Sequence, residues 1–130
     1  MSDLLKMYHD LVSFSIGESG VYPHHTIAIR KDAGVEMLAL DLNPNQVFLL
    51  ISKKIKESDE LIFALDRTCK DGQGTTLGDC VAGLYWIEGE FKPFIIEYQD
   101  SPRIVKEIDW NNEFWTRALK KDIDSILSLS

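Results

Sequence analysis

The sequence predicts an α+β fold, a mostly antiparallel sheet flanked by helices, and three observations carry that prediction. Apolar residues recur at helical spacing in three separate segments, at the start, the middle and the end of the chain. Between them lie short runs rich in β-branched and aromatic residues, bounded by glycine, proline and charged residues. Two pairs of these runs are joined by connections short enough for hairpins, which makes them antiparallel neighbours. The expected order is α-β-β-α-β-loop-β-β-α in a single domain spanning residues 1–130, since a chain of this length fits one core.

Each element has its own signal. In "SDLLKMYHDLVSF" the residues Leu4, Leu5, Tyr8, Leu11 and Val12 share one helical face, and "SIGESGVYPHH" then breaks the pattern with two glycines and a proline. The runs "HTIAIR" and "VEMLALDL" follow, joined by "KDAG", a loop expected to end in a glycine of positive φ. At "NPNQVFLLISKKIKES" the period becomes helical, with Val47, Leu50, Ile51 and Ile55 on one stripe. Asn43 is placed to cap the free amides, Pro44 suits the first helical position, and Gln46 completes a capping box. Lys53, Lys54 and Lys56 then sit at the negative end of the helix dipole.

The run "ELIFALD" reads as a central strand, and the helix that carries the chain back to start it suggests parallel pairing with a neighbour. "CVAGLYWIEGEFKPFIIEYQ" reads as a hairpin turning near Gly89, and Pro93, unable to donate a ladder hydrogen bond, places its second arm at an edge or bulge. "SPRIVKEID" links this hairpin to a last helix. There Trp110, Phe114, Ala118, Leu119, Ile123, Ile126 and Leu127 form the apolar stripe, which serves either to close the core or to form a homodimer seam.

Composition narrows the function. Against 14 basic residues stand 21 acidic ones, a net charge of −7 that repels phosphate backbones and anionic lipid, so neither nucleic acid nor a membrane surface is the expected partner. No apolar run approaches the ~20 residues needed to span a bilayer, and the first residues resemble no signal peptide, so a cytoplasmic location is expected. Cys69 and Cys80 form no CxxC motif and have no second pair beside them, which reads as two reduced thiols rather than a disulfide scaffold or a zinc site.

The stretch "LDRTCKDGQGTTLGDCVAG", from Leu65 to Gly83, crowds small, polar and glycine residues between two apolar runs. Gly72 to Gly78 suggest a phosphate-cradling turn, but no Lys-Ser/Thr follows and the next element reads as a strand, so the helix N-terminus that such a site needs is missing. The plain alternative is a long connection, with Asp66 and Arg67 pinning it to the preceding strand through backbone hydrogen bonds or an ion pair.

A second reading begins from spacing. Asp66-x-Thr68, seven residues, then Thr76-x-x-Asp79 resembles the H-x-H-x7-S-x2-D motif of the JAB/MPN (JAMM) metalloprotease family, and the element order from about Val35 to Tyr98 is similar as well. In that family the two histidines and the aspartate hold zinc, the serine stabilises the tetrahedral intermediate, and a glutamate from an earlier strand activates water. Here both histidines are replaced, by Asp66 and Thr68; Asp79 keeps its identity, Thr76 keeps a hydroxyl, and Glu36 or Glu18 corresponds to the glutamate. A threonine hydroxyl is a poor zinc ligand, so the resemblance implies a degenerate member that binds rather than cuts.

The remaining candidates are ordinary. His24 and His25 are adjacent in an extended segment, where successive side chains point to opposite faces, and read as a strand-entry pair rather than a metal site. His9 borders the first helix's apolar stripe and reads as a surface or cap residue. Tyr85, Trp86, Tyr98 and Trp110 offer an aromatic binding surface or, more simply, core. The expected function is a small acidic cytoplasmic interaction or accessory domain without catalysis or cofactor. It binds a protein partner through Asp66, Arg67, Thr68, Thr75, Thr76 and Asp79 in the 66–80 loop. The alternatives are a metal-assisted hydrolase using Asp66 and Asp79 with magnesium or manganese, and an immunity-type inhibitor of a basic enzyme.

Overall fold

The computed structural model describes residues 2–19, 26–32, 34–39, 43–100 and 102–129. In chain order it contains α1 (Asp3–Ser19), β1 (Thr26–Lys31), β2 (Gly34–Ala39), α2 (Pro44–Lys54), β3 (Glu60–Lys70), β4 (Thr76–Ile87), β5 (Glu90–Asp100), β6 (Arg103–Val105) and α3 (Glu113–Ser128). The six strands form one sheet in the order β2-β1-β3-β4-β5-β6, antiparallel at every pair. The α+β class and the helix–strand order agree with the sequence, to which the structure adds β6 within the segment expected to be a linker.

Helices cover both faces of the sheet. Leu4, Leu5, Tyr8, Val12 and Ile16 of α1 pack on Ala28, Ile62, Ala64, Val81 and Ile96. On the other face Val47 and Ile51 of α2 and Leu119 and Ile126 of α3 pack on Ile27, Leu61, Phe63, Leu84 and Ile95. This sandwich explains why "ELIFAL" is apolar without alternation, because residues 60–65 are buried on both sides of the sheet. Gly83 lies at its centre, where an added Cβ would stand 2.6 Å from the Phe63 carbonyl oxygen and 2.7 Å from the Phe94 ring.

Local chemistry accounts for the turns and helix ends. The Asn43 side chain accepts from the Gln46 amide at 3.0 Å and Gln46 accepts from the Asn43 amide at 3.2 Å, forming the predicted capping box. Glu88 and Gly89, with φ of 53° and 79°, form the two-residue connection between β4 and β5, as a type I′ hairpin requires. Pro93 faces Leu84 on one side and, among the described residues, no strand on the other, in keeping with its expected place at an edge.

Four expectations change. β3 is antiparallel to both neighbours; α2 returns the chain over β1, so β2 and β3 are parallel but not adjacent. Helix α1 runs through Gly17 to Ser19 and buries Ile16, since one glycine costs a helix only about 1 kcal/mol when packing holds it. In the first hairpin the positive φ belongs to Asp32, whose amide donates to Asp59, and not to Gly34. Trp110 lies outside α3 and packs on Tyr85 and Phe94; Trp115 joins the helix's core-facing stripe in its place. His24 and His25 lie outside the described residues.

Candidate functional site

The stretch that drew attention in the sequence is mostly sheet. β3 continues through Asp66, Arg67 and Thr68 to Lys70, β4 begins at Thr76, and the connection shrinks to residues 71–75. Polar residues extend both strands here because this end of the hairpin lies beyond the helical layers: residues 76–79 are all exposed, and burial begins at Cys80. Pairing opposes Thr68 to Asp79 and Lys70 to Thr76, with Leu77 left out as a bulge and Gly78 at φ 148° beside it.

Asp66 and Arg67 do not hold the connection. The Asp66 carboxylate accepts the hydroxyl of Tyr98, two strands away, and Arg67 donates to the Asp66 carbonyl at 3.0 Å from the opposite face of the sheet. The residue that does the holding is Asp71, whose Oδ1 accepts from the Gln73 amide at 2.9 Å and the Thr75 amide at 3.0 Å. A carboxylate therefore satisfies the amides that a phosphate would have used. From outside, Asn112 Nδ2 donates to the Lys70 carbonyl at 2.8 Å and Arg117 to the Gly72 carbonyl at 2.7 Å. The Asn112 Oδ1 also caps α3 by accepting from the Trp115 amide, so one side chain fixes both helix start and hairpin.

By strand alternation Asp66, Thr68 and Asp79 share the α1-side face of the sheet, while Arg67 faces the α2–α3 side. Thr75 and Thr76 are exposed at the tip. Glu36 pairs with Ile29, which pairs with Leu61, placing it five positions along β3 from Asp66 and on the other face; Glu18 is exposed on α1. Among the described residues no group of three or more His, Cys, Asp and Glu side chains is placed to hold a metal ion.

What this end of the sheet does form is a fork. β4 and β5 pair from Ile87–Glu90 to Asp79–Tyr98 and then separate. Among the described residues, β4 continues over 76–78 with β3 as its one partner strand, while Gln99 and Asp100 of β5 pair with β6 alone. A cleft of about 340 Å³ opens between them, lined by Leu77, Gly78 and Asp79 on one side, Tyr98, Gln99 and Ile104 on the other, and Cys69, Glu97 and Lys106. Leu77 is 62% exposed and Ile104 46%, so the mouth is apolar while the interior is polar.

The polar side chains in the cleft form a chain. The Cys69 thiol donates to Glu97 Oε1 at 2.9 Å, and Lys106 Nζ stands 3.0 Å from Glu97 Oε2. Burial, with the neighbouring Glu97 carboxylate, pushes the Cys69 thiol up to about 12. The bond from Cys69 and the Lys106 ammonium hold Glu97 below the usual carboxylate range against its desolvation. Cys69 is therefore a protonated donor and not a nucleophile, and Cys80, still more buried, is raised further. Of the expected site residues only Asp79 lines this cleft; Cys69, Glu97 and Lys106 meet through the register of β3, β4 and β5, and nothing local in the sequence links them.

No family model, curated protein or solved structure matches this chain.

Proposed function

We propose that this domain is a non-catalytic interaction module of the cytoplasm that takes an extended segment of a partner protein into the fork between β4 and β5. The observation that carries the reading is the parting of the two strands after Asp79 and Tyr98. It leaves a β4 edge over residues 76–78 with which, among the described residues, no strand pairs on that side. Backbone groups on such an edge seek partners, and strand addition supplies them. Leu77 and Ile104 offer apolar contact to alternate side chains of the segment, and Asp79 adds a carboxylate suited to a basic one.

Two further facts support binding over chemistry and a reducing compartment. The Asp66 carboxylate is engaged by Tyr98 and the Cys69 thiol is held protonated, so neither is poised as base or nucleophile. Both cysteines are free and buried, the state that a reducing cytoplasm preserves. The net charge of −7 favours a basic partner.

The test is site-specific photo-crosslinking in cells, with the crosslinker at Leu77 and, as control, at exposed Leu49 on α2. A single dominant protein captured from Leu77 and not from Leu49 is expected. Equal capture from both positions, or none from Leu77, removes the support for this reading.

A further inference from the structure

At the other end of β4 and β5, Trp110 stands as a ridge between two hollows. Its indole is 37% exposed yet held in place, with ring centroids 5.6 Å from Phe94 and 6.0 Å from Tyr85. On one side a cavity of about 750 Å³ lies along the start of β5, where among the described residues no further strand pairs with its outer edge; it is lined by Leu5, Tyr85 and Phe91 and bounded by Glu88, Glu90 and Lys92. On the other, a hollow of about 400 Å³ is lined by Asn111, Glu113 and Arg117. The larger cavity falls in the size range of small-ligand sites.

Its charged lining is two carboxylates to one ammonium. One of those carboxylates is unusual in its backbone. Glu88 occupies the first central position of the type I′ turn at φ 53°, where asparagine or glycine is favoured and a longer side chain is strained. The turn thus keeps an acid at the cavity mouth against its own conformational preference, and such retained strain points toward use. Beneath the mouth, the Tyr85 hydroxyl donates to the buried Glu60 carboxylate and is fixed in place by it.

We infer that the cavity beside Trp110 receives a cationic amine carried on an apolar stem, an alkylammonium group. The ammonium lies over the Trp110 face between Glu88 and Glu90, where the ring quadrupole and the carboxylates act together, and the stem lies against Leu5 and Ile87 on the same face of the sheet. Such a group comes either from a lysine side chain of a protein or from a free aliphatic amine. This site is remote from the fork, and either reading can fail without the other.

The experiment is an NMR titration of the Trp110 indole N–H, identified by its loss in Trp110→Leu. The probes are Nα-acetyl-lysine methylamide, cadaverine and the uncharged Nα-acetyl-norleucine methylamide. Both amines are expected to give saturable shifts, with norleucine about tenfold weaker; the tighter amine identifies the source. Glu88→Asn, which suits the turn and so keeps the fold, is expected to weaken amine binding about threefold. An absent or non-saturating shift, norleucine equal to lysine, or Glu88→Asn without effect would each overturn the inference.

Discussion

The Tyr85 hydroxyl donates to the carboxylate of Glu60, a side chain that starts β3 and is only 2% exposed. Arg30 Nε donates to the same carboxylate from β1, and its Nη1 approaches Asp59 at 3.5 Å. Burial alone would raise the Glu60 pKa, but the bonds from Tyr85, Arg30 and Ser2 outweigh it and the net shift is downward. A carboxylate buried in this way stabilises the fold only while its partners remain.

Tyr85→Phe is expected to cost about 1–3 kcal/mol, because it removes a donor from a buried charge. The pH dependence follows from the lowered pKa. Glu60 contributes fully above its ordinary value of 4.5, and the contribution disappears as pH falls through the lower folded value. In Tyr85→Phe desolvation has less to oppose it, so acid unfolding should begin at higher pH than in the wild type. Urea melts of both proteins from pH 7 to pH 3 measure the shift.

Asp66 and Asp71 should separate cleanly. Asp66→Ala leaves the buried Tyr98 hydroxyl without its acceptor and is expected to cost about 1–3 kcal/mol while amide exchange in residues 71–75 stays unchanged. Asp71→Ala frees the amides of Gln73 and Thr75 and should speed exchange there with a smaller global loss, about 1 kcal/mol. Hydrogen exchange with chemical denaturation reads both; faster loop exchange in Asp66→Ala would restore that residue as the loop's anchor.

Gly83→Ala is expected to destabilise by about 1–3 kcal/mol through overpacking, since its Cβ meets a backbone oxygen and a packed ring below 3.0 Å. Gly17→Ala, with nothing within 4 Å of the new methyl, should instead stabilise α1 by up to about 1 kcal/mol. Thermal melts of the two variants should move in opposite directions.

Both thiols should be inert in the native protein. With Cys69 pushed up to about 12 and Cys80 raised further by burial, iodoacetamide at pH 8 is expected to label neither until denaturant unfolds the chain. Mass spectrometry of labelled protein counts the adducts, and modification of Cys69 in native buffer would contradict its placement.

How much could be read in advance depended on the range of each interaction. Asn43, Pro44 and Gln46 announce α2 because capping acts over three residues, and the Glu88–Gly89 turn follows from a two-residue rule. The 66–80 stretch misled because polarity was read as loop. A strand that leaves the helical layers keeps its ladder hydrogen bonds while its side chains turn polar, so composition alone does not mark where β3 ends.

The sequence by itself determined the fold class, the order of helices and strands apart from β6, and the acidic net charge, since periodicity and charge are local or additive properties of the chain. Tertiary structure alone decided which residues meet. Cys69 reaches Glu97, Asp66 reaches Tyr98 and Glu60 reaches Tyr85 because strand register sets neighbours 25 to 32 positions apart. The fork exists because β4 and β5 stop pairing beyond Asp79 and Tyr98 while β4 stays with β3 and β5 with β6, a choice of partners made through hydrogen bonds between distant segments and carried by no residue singly.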